Sequence, residues 1–313
     1  MEKNIKIQKK LVLDFKNDSA VCLIMLNTKN IAAAFEKGLI KIFDNLFNIK
    51  LSIKENNSIF HIIQIKDGSI ISSSYNIKII KLFNNDTNYL VTQIIQDNEN
   101  LIFKTIELST SHLVSVSEDG VMRFYMKDKD SNEYFLFKEN SKVFNHGTIS
   151  NVFEIPNKKF VVSSGRRINF NLKLFDAQTC DYIKTLENFT VITYLFARDI
   201  YLLLHENFLA VGTYSSISVI DLRKEKKIQF YFCKKGYNSY TYVLTKINSN
   251  YVLQGDDTGN IELLKINDDF TLKSEYIIQN AHGDDCISSI ISIDKNNFLS
   301  CGKDGKIIAW EIL

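Results

Sequence analysis

The sequence predicts an all-β protein, a seven-bladed β-propeller with four antiparallel strands per blade and an N-terminal strand completing the last blade. Three observations carry this expectation. A pattern of three short apolar strands separated by polar turns recurs at roughly 40–50 residues. A further short apolar run follows each pattern but the last. One apolar run near the N-terminus, Lys9–Phe15, belongs to no pattern of its own.

The template is the stretch FLSCGKDGKIIAWEIL, Phe298–Leu313, which reads as two strands joined by a tight glycine turn, with the chain's single Trp in the second. Comparable units run Leu23–Asp44, His61–Asn84, Lys104–Tyr125, Val152–Asp176, Ile200–Asp221 and Val243–Lys265. The position of Trp310 is taken in turn by Phe43, Phe83, Tyr125, Phe175, Ile220 and Leu264. Between the units lie the apolar runs Leu46–Ile53, Tyr89–Ile95, Glu133–Phe137, Asp181–Leu186, Lys227–Phe232 and Phe270–Ile278, which supply fourth strands. β-Branched and aromatic residues fall near alternate positions with turn residues between them, and long helical periodicity is absent. A four-stranded unit cannot bury both its faces alone, and radial stacking covers each sheet with its neighbours. Residues 1–313 are therefore read as one domain. The last unit lacks a fourth strand, and Lys9–Phe15 supplies it by pairing beside Trp310. Small residues (Ala32–Ala34, Ser72–Ser74, Ser115, Ser163–Ser164, Ala210 and Ser300) fall on the second strand of their units, where blades crowd together.

Composition excludes several classes. Of 313 residues 45% are hydrophobic and 24% charged, and the formal net charge is +2, which offers no basic excess for a nucleic-acid backbone. The N-terminal segment lacks the apolar run of a signal peptide, and no apolar stretch is long enough to span a bilayer. Cys22, Cys180, Cys233, Cys286 and Cys301 are scattered and odd in number, which reads as reduced core thiols in a cytoplasmic protein, with the nucleus also open to it. A Cys286–Cys301 bridge across neighbouring strands remains open at this point.

The seventh unit resembles the WD-repeat family. Ala281-His282 is similar to that family's Gly-His pair, followed by Ser300, Asp304 and Trp310 at matching intervals. The resemblance implies a buried hydrogen-bond chain through His282, Ser300, Asp304 and Trp310, and a scaffold that binds proteins or peptides. The third unit keeps Ser115, Asp119-Gly120 and Tyr125 without a His in register. The others carry Lys37, Ile77, Asn169, Tyr214 and Thr258 at the Asp position.

Ser, His and Asp in one blade also invite a hydrolase reading. A catalytic Ser needs exposure and free oxyanion donors, whereas a Trp N–H that occupies its oxygen belongs to a structural network. His61, His112, His146 and His205 lie in four different units without metal-ligand spacing, so no metal or cofactor is expected. An enzyme with its site in a central channel is the competing class. In the propeller expectation, the turns between second and third strands present Glu36, Asn76, Glu118, Arg166, Arg167, Tyr214, Asp257 and Lys303 on one rim for a partner. The turn SGRRINFN, Ser164–Asn171, is longer than its counterparts, and adjacent arginines suit an acidic or phosphorylated segment. They also resemble the arginine pair of phosphoinositide-binding propellers, which makes a membrane lipid the further alternative.

Overall fold

The computed structural model describes residues 5–313 apart from 17, 97–99, 142, 144–147, 165–169, 192–199, 214–215 and 233–238. Of residues 163–164, 170–171, 187–191, 230 and 232 it describes the backbone alone. The described residues form seven four-stranded antiparallel sheets and no helix. β1 spans Ile7–Asp14. The first sheet is β2 (Ala20–Met25), β3 (Ile31–Phe35), β4 (Leu39–Phe43) and β5 (Ile49–Lys54). The second is β6 (His61–Gln64), β7 (Ile70–Ser73), β8 (Ile77–Phe83) and β9 (Asn88–Ile95). The third is β10 (Ile102–Glu107), β11 (Leu113–Ser117), β12 (Met122–Lys127) and β13 (Tyr134–Asn140). The fourth is β14 (Ile149–Ile155), β15 (Lys159–Ser164), β16 (Phe170–Asp176) and β17 (Tyr182–Val191). The fifth is β18 (Tyr201–His205), β19 (Phe208–Thr213), β20 (Ser216–Asp221) and β21 (Lys226–Phe232). The sixth is β22 (Thr241–Lys246), β23 (Tyr251–Asp256), β24 (Ile261–Ile266) and β25 (Leu272–Ile278). The seventh is β26 (Ile287–Ser292), β27 (Asn297–Gly302) and β28 (Lys306–Ile312), with β1 as its fourth strand.

Contacts divide these sheets between two compact units. A middle unit, Val21–Arg166 with Phe170–Thr190, holds the first four sheets. A terminal unit, Met1–Ala20 with Arg167–Asn169 and Val191–Leu313, holds the other three. Within each unit the apolar faces of successive sheets close on one another. Ala32, Ala34, Ile40 and Ile42 pack against Ile62, Ile70 and Ile80, and Val116 and Phe124 pack against Val152 and Phe160. In the terminal unit Leu253, Ile261 and Leu263 meet Ile290, Phe298 and Trp310. Period-two alternation is muted in the second strands: β3, β11 and β19 are buried at every position, as strands covered on both faces must be.

β1 pairs antiparallel with β28, Lys9 opposite Trp310, Leu11 opposite Ala309 and Val12 opposite Ile308. Gly305 makes this approach possible. It turns between β27 and β28 at φ +75°, and a Cβ there would lie 3.0 Å from the carbonyl oxygens of Phe15 and Asp18. Phe15 N–H in turn donates to Gly305 O at 2.9 Å.

One sequence assignment is corrected. Trp310 pairs with Phe298, the counterpart of Leu113 opposite Tyr125 and of Ile31 opposite Phe43. In the second sheet the corresponding partner of Ile70 is Ile80, fully buried, whereas Phe83 pairs with Asn88 and is 37% exposed. Third-to-fourth-strand bulges agree: they fall at Ile42/Phe43, Phe124/Tyr125 and Ile79/Ile80. The long β8 runs on past its core position and carries Phe83 into solvent. Ile77, which pairs with Ser73, is thus the counterpart of Ile307, which pairs with Cys301, and does not stand where Asp304 stands in the seventh sheet. Cys286 and Cys301 are not joined by a disulfide, and neither Cys22 nor Cys180 is in one, while Cys233 lies outside the described residues.

Candidate functional site

The candidate site is built on the turns between second and third strands and on the buried polar groups beneath them. In the seventh sheet the four residues singled out in the sequence meet. Trp310 Nε1–H donates to Ser300 Oγ at 2.8 Å, Ser300 Oγ lies 2.7 Å from His282 Nε2, and His282 Nδ1 lies 2.8 Å from Asp304 Oδ1. A carboxylate only accepts, so Nδ1 carries the proton, and the bare Nε2 accepts from the Ser300 hydroxyl. Asp304 also accepts from the Lys306 N–H at 3.1 Å and faces the Lys306 ammonium at 3.3 Å. Burial alone would raise the Asp304 carboxyl, but the His282 hydrogen bond, the Lys306 N–H and the Lys306 ammonium outweigh it and hold it below its ordinary value. His282 is placed from the sixth sheet: its N–H donates to Gly259 O at 3.1 Å. Gly259 turns at φ +78°, and a Cβ there would collide with Gly283 O.

The interatomic distances are those of a proton relay, but Ser300 is fully buried, His282 is 1% exposed and Trp310 Nε1 occupies the hydroxyl oxygen. No substrate carbonyl reaches that oxygen. The network instead fixes the Gly302–Gly305 turn from below and leaves Lys303 exposed above it.

The third sheet holds its turn with different chemistry, which sequence reasoning missed. Arg123 on β12, 8% exposed, places Nη2 2.8 Å from Asp119 Oδ2 and Nε 2.8 Å from Glu139 Oε1. Ser117 Oγ donates to Asp119 Oδ1 at 2.5 Å, and the Val121 N–H donates to the same oxygen at 2.9 Å. Burial pushes the Asp119 carboxyl up, but Arg123, Ser117 and Val121 together bring it below its ordinary value. Glu118 stays exposed on the turn. The available signal was an Asp-Gly turn followed within one hairpin by Arg; Glu139 could not be found without the β12–β13 register.

The remaining turns are plainer. Glu36 is exposed and Asn76 half-buried, with its N–H 3.4 Å from Ser74 Oγ. Asp257 is half-buried and accepts from the Tyr240 N–H at 2.7 Å; burial raises its carboxyl above the ordinary range. Arg166, Arg167 and Tyr214 lie outside the described residues, as does His146. Of the other histidines, His61 is buried on β6. His112 sits at the β10–β11 turn 5.1 Å from the Phe137 ring of β13, and His205 lies 5.1 Å from the Phe270 ring. Among the described residues no group of three or more His, Cys, Asp or Glu could hold a metal ion, and no helix is long and apolar enough to cross a membrane.

The seven four-stranded sheets and their strand order are those of a seven-bladed β-propeller. The chain is similar to the solved WD40 β-propeller domain of Doa1, at a TM-score of 0.74 over 97% of this chain and 97% of that one. The two are 10% identical, so the likeness is one of fold. No family model and no curated protein matches the chain.

Proposed function

We propose that the protein is a non-catalytic scaffold that binds protein or peptide partners on the turns joining second and third strands. WD40 propellers generally serve as protein-interaction scaffolds, and loops on a rigid frame are where binding resides. One observation carries the reading. In the third and seventh sheets a buried ionic or hydrogen-bonded network is spent on the turn itself, while its tip residue, Glu118 or Lys303, points to water with no role in that network. Fixing a tip in advance lowers the ordering cost of binding.

The test is affinity purification from the native organism with the intact chain and with a Glu36→Lys, Glu118→Lys, Lys303→Glu variant. Partners recovered by the first and lost by the second support the reading. Recovery of the same proteins by both, from a variant that melts like the parent, rejects it. Lipid binding through Arg166 and Arg167 predicts anionic-vesicle binding that disappears when both become Ala.

A further inference from the structure

The fourth strand of each sheet is an edge, with a row of backbone groups open to another strand. Proteins blunt such edges with charge, proline or a cover. Six of these strands follow the rule, each with at least two charged residues: Lys9 and Lys10 on β1, Lys50 and Lys54 on β5, Lys226 and Lys227 on β21, and mixed pairs on β13, β17 and β25. β9 does not. Its sequence, NYLVTQII, contains no charge and no proline, and Leu90, Ile94 and Tyr89 are 56%, 49% and 42% exposed.

Beside this strand a cleft of about 310 Å³ opens between the second and third sheets, lined by Lys81 of β8, Thr92 and Gln93 of β9, and Lys127, Glu133 and Tyr134 of the third sheet. Its floor is rigid: Gln93 clasps the Tyr134 backbone twice, accepting its N–H at 2.8 Å and donating to its carbonyl at 2.5 Å. Lys127 is neutralised by Asp67 at 2.8 Å and lies over the Tyr134 ring. Lys81 is not. It pairs in register with Leu90, lies over the Phe83 ring, and has no carboxylate partner among the described residues. Asp67 and Glu133 line the cleft as well, so its charges balance in number. Glu133 stands on the third-sheet wall, and Lys81 is the charge on the β8 side that no described carboxylate meets.

We propose that β9 takes up an extended peptide segment of another protein by strand addition, with an acidic side chain of that segment entering the cleft to meet Lys81. In an added strand every second side chain faces the same way, so main-chain bonds along β9 supply affinity and the cleft reads one alternating set. This surface is separate from the turns proposed above and stands without them.

The experiment pans a display library of extended peptides, roughly nine residues long, against the intact chain, so that added strands can span β9. Enrichment of sequences alternating apolar residues with Asp or Glu is expected, with slowed amide exchange along β9 when a selected peptide is added. Leu90→Lys, which supplies the missing edge charge, and Lys81→Glu should each weaken binding by about tenfold or more, while both variants melt like the parent. Charge reversal at Lys303 should leave it unchanged. The proposal is overturned if nothing is enriched above the Leu90→Lys control, if basic peptides are selected, or if Lys81→Glu binds equally well. A concentration-dependent dimer abolished by Leu90→Lys would also overturn it, since a second copy would then own the edge.

Discussion

Ser115 and Ser300 hold the same register position in their sheets, opposite Arg123 and Ile308, and have opposite hydrogen-bonding fates. Ser300 Oγ is shared by His282 and Trp310, while Ser115 Oγ, fully buried, has no partner among the described residues. Ser72, in the same register position of the second sheet, is served by a third solution, donating to the buried Glu55 at 2.5 Å while Lys78 pairs with that carboxylate at 2.9 Å. Removing Ser300 strands two buried partners, which costs about 1–3 kcal/mol, whereas removing Ser115 relieves an unpaid desolvation. Ser300→Ala should thus lower the urea midpoint clearly, and Ser115→Ala should leave it unchanged or raise it. Equal losses from both would contradict the assignment.

The corrected register of the second sheet gives a second contrast. Ile80→Ala should destabilise by about 2–5 kcal/mol, the usual cost of a buried aliphatic truncation. Phe83→Ser, at an exposed site, should cost under about 1 kcal/mol. Thermal melts that rank the two the other way would restore Phe83 to the core position.

Arg123 is the sole described cation on Asp119, and Glu139 lies against the same guanidinium. Asp119 is half-buried and Glu139 exposed, so removing the guanidinium should cost less than breaking a fully buried pair and more than breaking a surface one, about 1–3 kcal/mol. Arg123→Met should show a loss of that order by chemical denaturation. Arg123→Met combined with Asp119→Asn should recover part of it. No recovery in the double variant would show that the pair is not coupled.

Acid sensitivity follows from Asp304. Its folded carboxyl titrates below the ordinary 3.8 because the His282 bond and the adjacent Lys306 outweigh burial. A depressed acid contributes stability that is present above the unfolded value and lost as pH falls through the folded one. Between pH 5 and pH 3 the parent should therefore lose more stability than Asp304→Asn, measured as urea midpoints at each pH. Parallel losses would remove Asp304 from the account.

How much of this the sequence reveals depends on what each residue must satisfy locally. The repeat was legible because every unit sets short apolar strands between polar turns at a similar interval, and β1 was legible as the one strand without a sheet. The His282–Ser300–Asp304–Trp310 chain was legible because its members resemble a known pattern in type and interval. Ile80 was not, because β8 continues beyond its core position and Phe83 offers a more conspicuous aromatic. The Arg123 network was not, because Glu139 joins it across a bulged register that no spacing encodes.

The pairing of Ile7 with Ile312 has a consequence for biosynthesis. Six sheets are contiguous in the chain and can assemble as they leave the ribosome, but the seventh must wait for β28, which emerges long after β1. Joining distant segments adds little free energy, since closure entropy grows only logarithmically with separation. It adds delay, because non-local pairing is slow. Throughout that delay Ile7 and Leu13, the apolar side chains of β1 that the folded sheet half-buries, travel uncovered, and a nascent polypeptide in that condition is a client for chaperones.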